Sequence, residues 1–285
     1  MKIGLLSLAT ELILNGTFKD VKSIIDMGTK ALRVHYTDLE YLFEQSNIKF
    51  NKNKFKFLKK FPKGKRQSTQ LFWEEFGIKN YKCIDINREE GSIYSDLNLP
   101  FNKKRHLGKY DLVLDIGNNE HVFNVGEAYK TMYNLCKKDG YLWIFQSVYN
   151  GNGFFQFDIP FFEGMALANK LGIIHASYIV QTSDYDQFLI PANKDLFNVI
   201  DLTKVKSIDI TYVMKKTTNE KFKFYYQYNL KNNQKFFKVS FINKKFPPER
   251  YYIQSKSIID LIKSNKNDKY SKEWLRATEI LKDKK

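Results

Sequence analysis

Cysteine is almost missing from this chain. Only Cys83 and Cys136 occur in 285 residues, each inside an apolar stretch (YKCIDI, MYNLCKK) and neither in a C-x-x-C pair. Disulfide scaffolds, zinc ribbons and dithiol redox chemistry are thereby excluded, and packed thiols in a reducing compartment are expected. Histidine is scarce as well, and His35, His106 and His175 stand without the spaced partners that a metal needs, so no metal is expected. No G-x-G-x-x-G occurs, which removes a dinucleotide-binding reading. No window reaches the ~18 consecutive apolar residues of a membrane-spanning helix. The start, MKIGLLSLATELILNG, is interrupted by Thr10 and Glu11 and reads as an amphipathic helix rather than a signal peptide. A soluble, cytoplasmic protein is expected.

Acidic residues are outnumbered, 31 against 47 Lys and Arg, for a net charge of +16. That balance fits an anionic partner, and equally a chain whose solvated faces are filled with Lys. With 43% hydrophobic residues the chain can build a large core.

Four short apolar runs have the length and the β-branched or aromatic content of buried parallel strands: VKSIIDM (21–27), YKCIDI (81–86), YDLVLDI (110–116) and GYLWIFQSV (140–148). A weaker strand, GSIYS, precedes Asp96. Between the last two runs, NVGEAYKTMYNLCKKDG has helical spacing and is expected to close at Asp139-Gly140. IPFFEGMALANKLG repeats the pattern, with Pro160 in its first turn and Gly172 at its end, before the strand-like IIHASYIVQ. Alternating strands and helices predict an α/β fold: a Rossmann-like, mostly parallel, seven-stranded sheet flanked by helices. Residues 48–66, alternating Lys with Phe, read as a basic hairpin or loop within an insertion at 48–70. Past residue 204, two alternating strands joined at Thr217 to Glu220 predict an antiparallel edge, and two amphipathic helices predict a helical tail. The expected division is a Rossmann domain at 1–215 and a C-terminal extension at 216–285.

In an open parallel sheet, ligands bind beyond the carboxyl ends of the strands. Those positions hold Asp26-Met27-Gly28, Asp85, Asp96-Leu97 and Asp115-Ile116-Gly117, a carboxylate at every strand end. Over residues 20–215 this series resembles the class I S-adenosylmethionine-dependent methyltransferases. The resemblance implies S-adenosyl-L-methionine as cofactor, with Gly28 admitting its methionine part and Asp85 accepting from both ribose hydroxyls. It implies Asp96 on the adenine amino group, Leu97 beside the ring, and Asp26, Asp115 and Gly117 around the floor beneath the sulfonium. The first loop keeps a single glycine, followed by Thr29 and Lys30 where the family has more.

The expected function is methyl transfer to an oxygen or nitrogen of a small-molecule or glycan-like acceptor. The activated donor leaves the protein to align the reactants and to supply one base, for which His121 and Glu120 are the candidates. QSVYNGNGFFQFDIP has the composition of a substrate loop, with Asn150, Asn152, Phe154, Phe155 and Gln156 as its binding residues. A plain turn with core-capping aromatics is the bland alternative. Two other functions stay open: a cofactor-free binding or assembly module, and, less favoured, a nucleic-acid partner or methyl acceptor met through bases stacking on the Phe residues of the basic segment. Oligomeric state is not legible.

Overall fold

The structure is a computed structural model that describes residues 1–60, 68–87, 91–182 and 187–225. Eight strands form one sheet: β1 (Ser23–Asp26), β2 (Asn80–Asp85), β3 (Ile93–Tyr94), β4 (Tyr110–Ile116), β5 (Cys136–Tyr149), β6 (Leu171–Thr182), β7 (Gln187–Pro191) and β8 (Val205–Lys216). Their order is β3-β2-β1-β4-β5-β8-β6-β7. The first five are parallel, while β8 runs antiparallel between β5 and β6, and β7 closes the edge as a hairpin on β6.

β4 shows why this sequence makes a buried strand. Leu112, Leu114 and Ile116 face one side of the sheet, Val113 and Asp115 the other, and all seven residues are buried. A strand covered on both faces must be apolar almost throughout. One cover is α1 (Ile3–Leu14), α2 (Tyr36–Gln45) and α3 (Thr69–Glu75); the other is α4 (Val125–Leu135) and α5 (Ile159–Ala168). Among the described residues no helix is long and apolar enough to cross a membrane.

Several sequence-based expectations need correction. The sheet has eight strands rather than seven, because β7 adds an edge. The antiparallel edge is not the pair expected past residue 204: β8 is central, and residues 217–225 leave the sheet to pack Phe222 on Tyr133 and Tyr225 on Phe161. Two helices stop early. α4 ends at Leu135, where the buried Lys216 ammonium donates to the carbonyls of Tyr133 (2.9 Å) and Cys136 (2.8 Å), and Asp139-Gly140 lies within β5. α5 ends at Ala168, so Gly172 belongs to β6. α1 is buried nearly all round rather than amphipathic. The helical tail lies outside the described residues.

Of the two readings of the basic segment, hairpin or loop, the described residues 48–60 follow the loop. Residues 50–60 form turns and a short 3-10 helix (Lys56–Lys60), in which Phe55 and Leu58 are buried while Lys56 and Lys59 are exposed. Phe50 stacks on Phe55 at 5.3 Å, and Phe43 meets both rings. Phe43 and Phe55 are core residues against α2 and α3, and Phe50 packs on them half-buried. Both cysteines are buried free thiols, and burial pushes Cys136 up to about 12.

The packing of Phe55 sets a stability test. Phe55→Ala should cost about 3–5 kcal/mol in denaturant melts, whereas Lys56→Ala should stay within about 0.5 kcal/mol. Equal, small effects would mean that the segment is a surface feature.

Candidate functional site

The sheet order reverses between β1 and β4, so a crevice opens beyond their carboxyl ends. β1 delivers Asp26, wholly buried on the α3 side, where its Oδ2 accepts from the Tyr81 hydroxyl at 3.0 Å. Its Oδ1 has no partner among the described residues, and burial pushes the carboxyl up to about 6. The chain then turns at Gly28 with φ +138°, and a Cβ there would lie 2.5 Å from Asn118 Oδ1. The φ favours glycine, while the Asn118 contact is with a side-chain end that can shift. The Thr29 amide donates to Asp85 Oδ2 at 3.1 Å, which ties the β1 loop to the tip of β2.

β4 delivers Asp115, also wholly buried but on the α4 side. Its Oδ1 accepts from the amides of Asn118 (3.2 Å) and Asn119 (3.0 Å), and its Oδ2 from Gln146 Nε2. Burial outweighs these donors and pushes the carboxyl up to about 7. Gly117, at φ +65°, donates to the Phe145 carbonyl at 2.7 Å. Its own carbonyl faces Lys30 Nζ at 3.4 Å, so the ammonium spans from the β1 loop to the β4 loop.

Downstream lies a short 3-10 helix, Asn119–His121. Glu120 Oε2 accepts from the Ser147 amide at 2.7 Å, and the Glu120 carbonyl accepts from the amides of Phe154 (2.8 Å) and Phe155 (3.2 Å). A Cβ on Gly153 would lie 2.8 Å from Glu120, so the loop after β5 is pressed onto this residue. Glu120 Oε1 is 3.5 Å from His121 Nε2, and the two side chains are 9% and 45% exposed. Glu120 is therefore a staple, and of the two candidate bases only His121 is freely reached from solvent.

The structure brings Gly28, Asp85 and Gly117 together around the crevice. Asp26 and Asp115 flank it but offer it no surface. Asp96 sits one loop further on, where its Oδ1 accepts from the Asn98 amide at 2.9 Å, and Leu97 beside it is core. Asn98 in turn accepts from the amide of Asn124, the residue that caps α4. In the loop after β5, exposure alternates: Asn152, Phe154 and Gln156 point outward, Phe155 is half-buried and Phe157 buried. Asn150 is turned away, its Nδ2 donating to the Lys206 carbonyl at 2.7 Å. It holds the loop to β8.

Sequence reading missed three residues. Ile86, 57% exposed directly after Asp85, and Phe123, 78% exposed directly before the α4 cap, are bare apolar side chains at positions where loops favour polar ones. Asn119 is fully buried with neither amide atom bonded among the described residues. No group of three His, Cys, Asp or Glu able to hold a metal occurs among the described residues.

No protein-family model matches this sequence. No curated protein matches it either. The solved structures to which this chain is similar include S-adenosylmethionine-dependent methyltransferases. The Burkholderia thailandensis 1,6-didemethyltoxoflavin-N1-methyltransferase, solved with 1,6-didemethyltoxoflavin and S-adenosylhomocysteine, has 11% identity and a TM-score of 0.39, over 75% of this chain and 79% of its own. An Archaeoglobus fulgidus enzyme of the same kind has 14% identity and a TM-score of 0.37, over 74% and 94%. The O-methyltransferase of a Brevibacillus brevis polyketide multienzyme, in complex with S-adenosylhomocysteine, has 13% identity and a TM-score of 0.32, over 76% and 73%.

The buried carboxyls set a pH signature. Their folded values, about 6 for Asp26 and about 7 for Asp115, lie above the unfolded value, so the folded state holds more protons and stability falls as pH climbs from about 4 to about 7. Asp115→Asn keeps an acceptor for the loop amides but cannot ionise. Thermal melts from pH 5 to pH 8 should show a shallower fall for this variant, by at most about 2.7 kcal/mol. A variant that tracks the wild type would remove Asp115 as a source.

Proposed function

We propose that this protein is an S-adenosylmethionine-dependent methyltransferase acting on an oxygen or nitrogen of a small-molecule or glycan-like acceptor. The observation that carries this reading is Asp85. Its half-buried carboxylate stands at the tip of β2, held beside the Gly28 turn by the Thr29 amide and followed by the exposed Ile86. A short anionic acceptor for vicinal hydroxyls next to a bare apolar side chain is what an adenosine needs. Gly28 and Gly117 bring backbone to the crevice wall with no side chain of their own.

The residues present fit the cofactor on one condition: Lys30 and Asn118 must swing aside, since both now lean over Gly28. Both are side-chain ends and move cheaply. Asp85 would hold the ribose, Ile86 and Asp96 the adenine, and Gly28 the methionine part. Bound there, S-adenosylmethionine supplies an activated methyl group. The protein's own work is then to orient the acceptor and to take its proton at His121, whose ring is half exposed at the mouth of the site.

The second reading is a cofactor-free binding module. It is favoured by the contact of Lys30 Nζ with the Gly117 carbonyl, which closes the two loops on each other and sets a cation where a sulfonium would come. One experiment separates the two. S-adenosylhomocysteine at a hundred times its dissociation constant should stabilise the native state by about 2.7 kcal/mol, seen as a raised melting temperature, and Asp85→Ala should abolish the shift. No shift at millimolar ligand would leave the module reading.

A further inference from the structure

The loop after β5 presents a strip that the fold itself does not use. Its alternation sends Asn152, Phe154 and Gln156 outward, while Phe155 and Phe157 turn into the core. Phe123 comes from the α4 entry to meet Phe154, with ring centroids 6.5 Å apart and planes at 82°. Two bare rings at right angles make a corner, with one ring as floor and the other as wall. The rings are 78% and 72% exposed, a large hydrophobic cost at a surface unless a ligand covers them. His121 lies two residues before Phe123, with its Nε2 3.5 Å from Oε1 of the same Glu120 that holds Phe154.

From this juxtaposition, and resting on the methyl-transfer reading above, we infer that the corner of Phe123 and Phe154 binds one sugar ring of a glycan acceptor. A pyranose has a flat face of C–H groups that packs on an aromatic ring and a rim of hydroxyls that bond amides. The strip supplies both in order: amide, ring, amide. Its openness separates a sugar from a planar aromatic acceptor. An apolar planar ligand calls for an enclosed, largely apolar pocket, whereas a hydrophilic ring loses little by keeping one face in water. The right-angled rings also leave room for the thickness of a chair and offer no parallel sandwich. The Glu120 staple sets the strip beside His121, so a hydroxyl of the bound ring is presented to that base.

The test needs no cofactor. Saturation-transfer NMR on the full chain, with the methyl glycosides of glucose, galactose, mannose and N-acetylglucosamine at millimolar concentration and 2-naphthol as planar control, should show saturation of ring C–H protons for at least one glycoside. Phe154→Ala and Phe123→Ala should each reduce that signal at least fivefold, Phe154→Tyr should retain it, and Leu14→Ala, on an exposed residue of α1, should leave it unchanged. Melting curves confirm that each variant is folded. The inference is overturned if no glycoside is saturated, if saturation survives both alanine variants, or if only 2-naphthol binds at the two rings. Because binding is read without S-adenosylmethionine, failure here leaves methyl transfer standing, and failure of cofactor binding leaves this result untouched.

Discussion

The Asp115 carboxylate is the constraint on which the functional end of this molecule depends. Buried at the end of β4, it fixes the next loop by accepting the amides of Asn118 and Asn119, and it reaches across to β5 through Gln146. With that loop in place, Gly117 can face the β1 turn and Glu120 can reach Ser147 and the loop after β5. The β1 turn and the loop after β5 are therefore both tied to one short segment. Its cost is a carboxyl that burial pushes well above its ordinary range, at a point where a protein built for stability alone would place an apolar residue.

Much of the scaffold is legible in the sequence, for physical reasons. YDLVLDI reads as β4 residue for residue because a strand buried on both faces has no choice but to be apolar. The parallel half of the sheet follows from the same patterning. The failures have causes too. Lys alternating with Phe has the period of a hairpin, yet the rings are collected by Phe43 and α2, a tertiary effect that no local window contains. The stop of α4 depends on Lys216, 80 residues beyond Cys136 in the chain. Where β8 enters the sheet is likewise set by long-range pairing and not by its own pattern.

The site was only partly legible. Strand-end carboxylates can be found by position, but position does not show which way they face. Asp26 and Asp115 turn to opposite sides of the sheet and disappear into its cores, while Asp85 remains at the crevice. Glu120 and His121, neighbours with one chemistry on paper, divide into a buried side chain bonded to Ser147 and a half-exposed imidazole. The single-glycine loop also becomes intelligible. Gly28 suits its positive φ, and the Lys30 ammonium reaches across to the Gly117 carbonyl.

Glu120 joins the β4 loop to the loop after β5 as one unit. Amide hydrogen exchange on wild type and Glu120→Ala tests it directly. The account predicts that the amides of Ser147, Phe154 and Phe155 are protected in the wild type and lose protection together in the variant, while those of β1 and β6 do not change. If Ser147 alone responds, or if none of the three does, the loop holds itself and Glu120 is not the link.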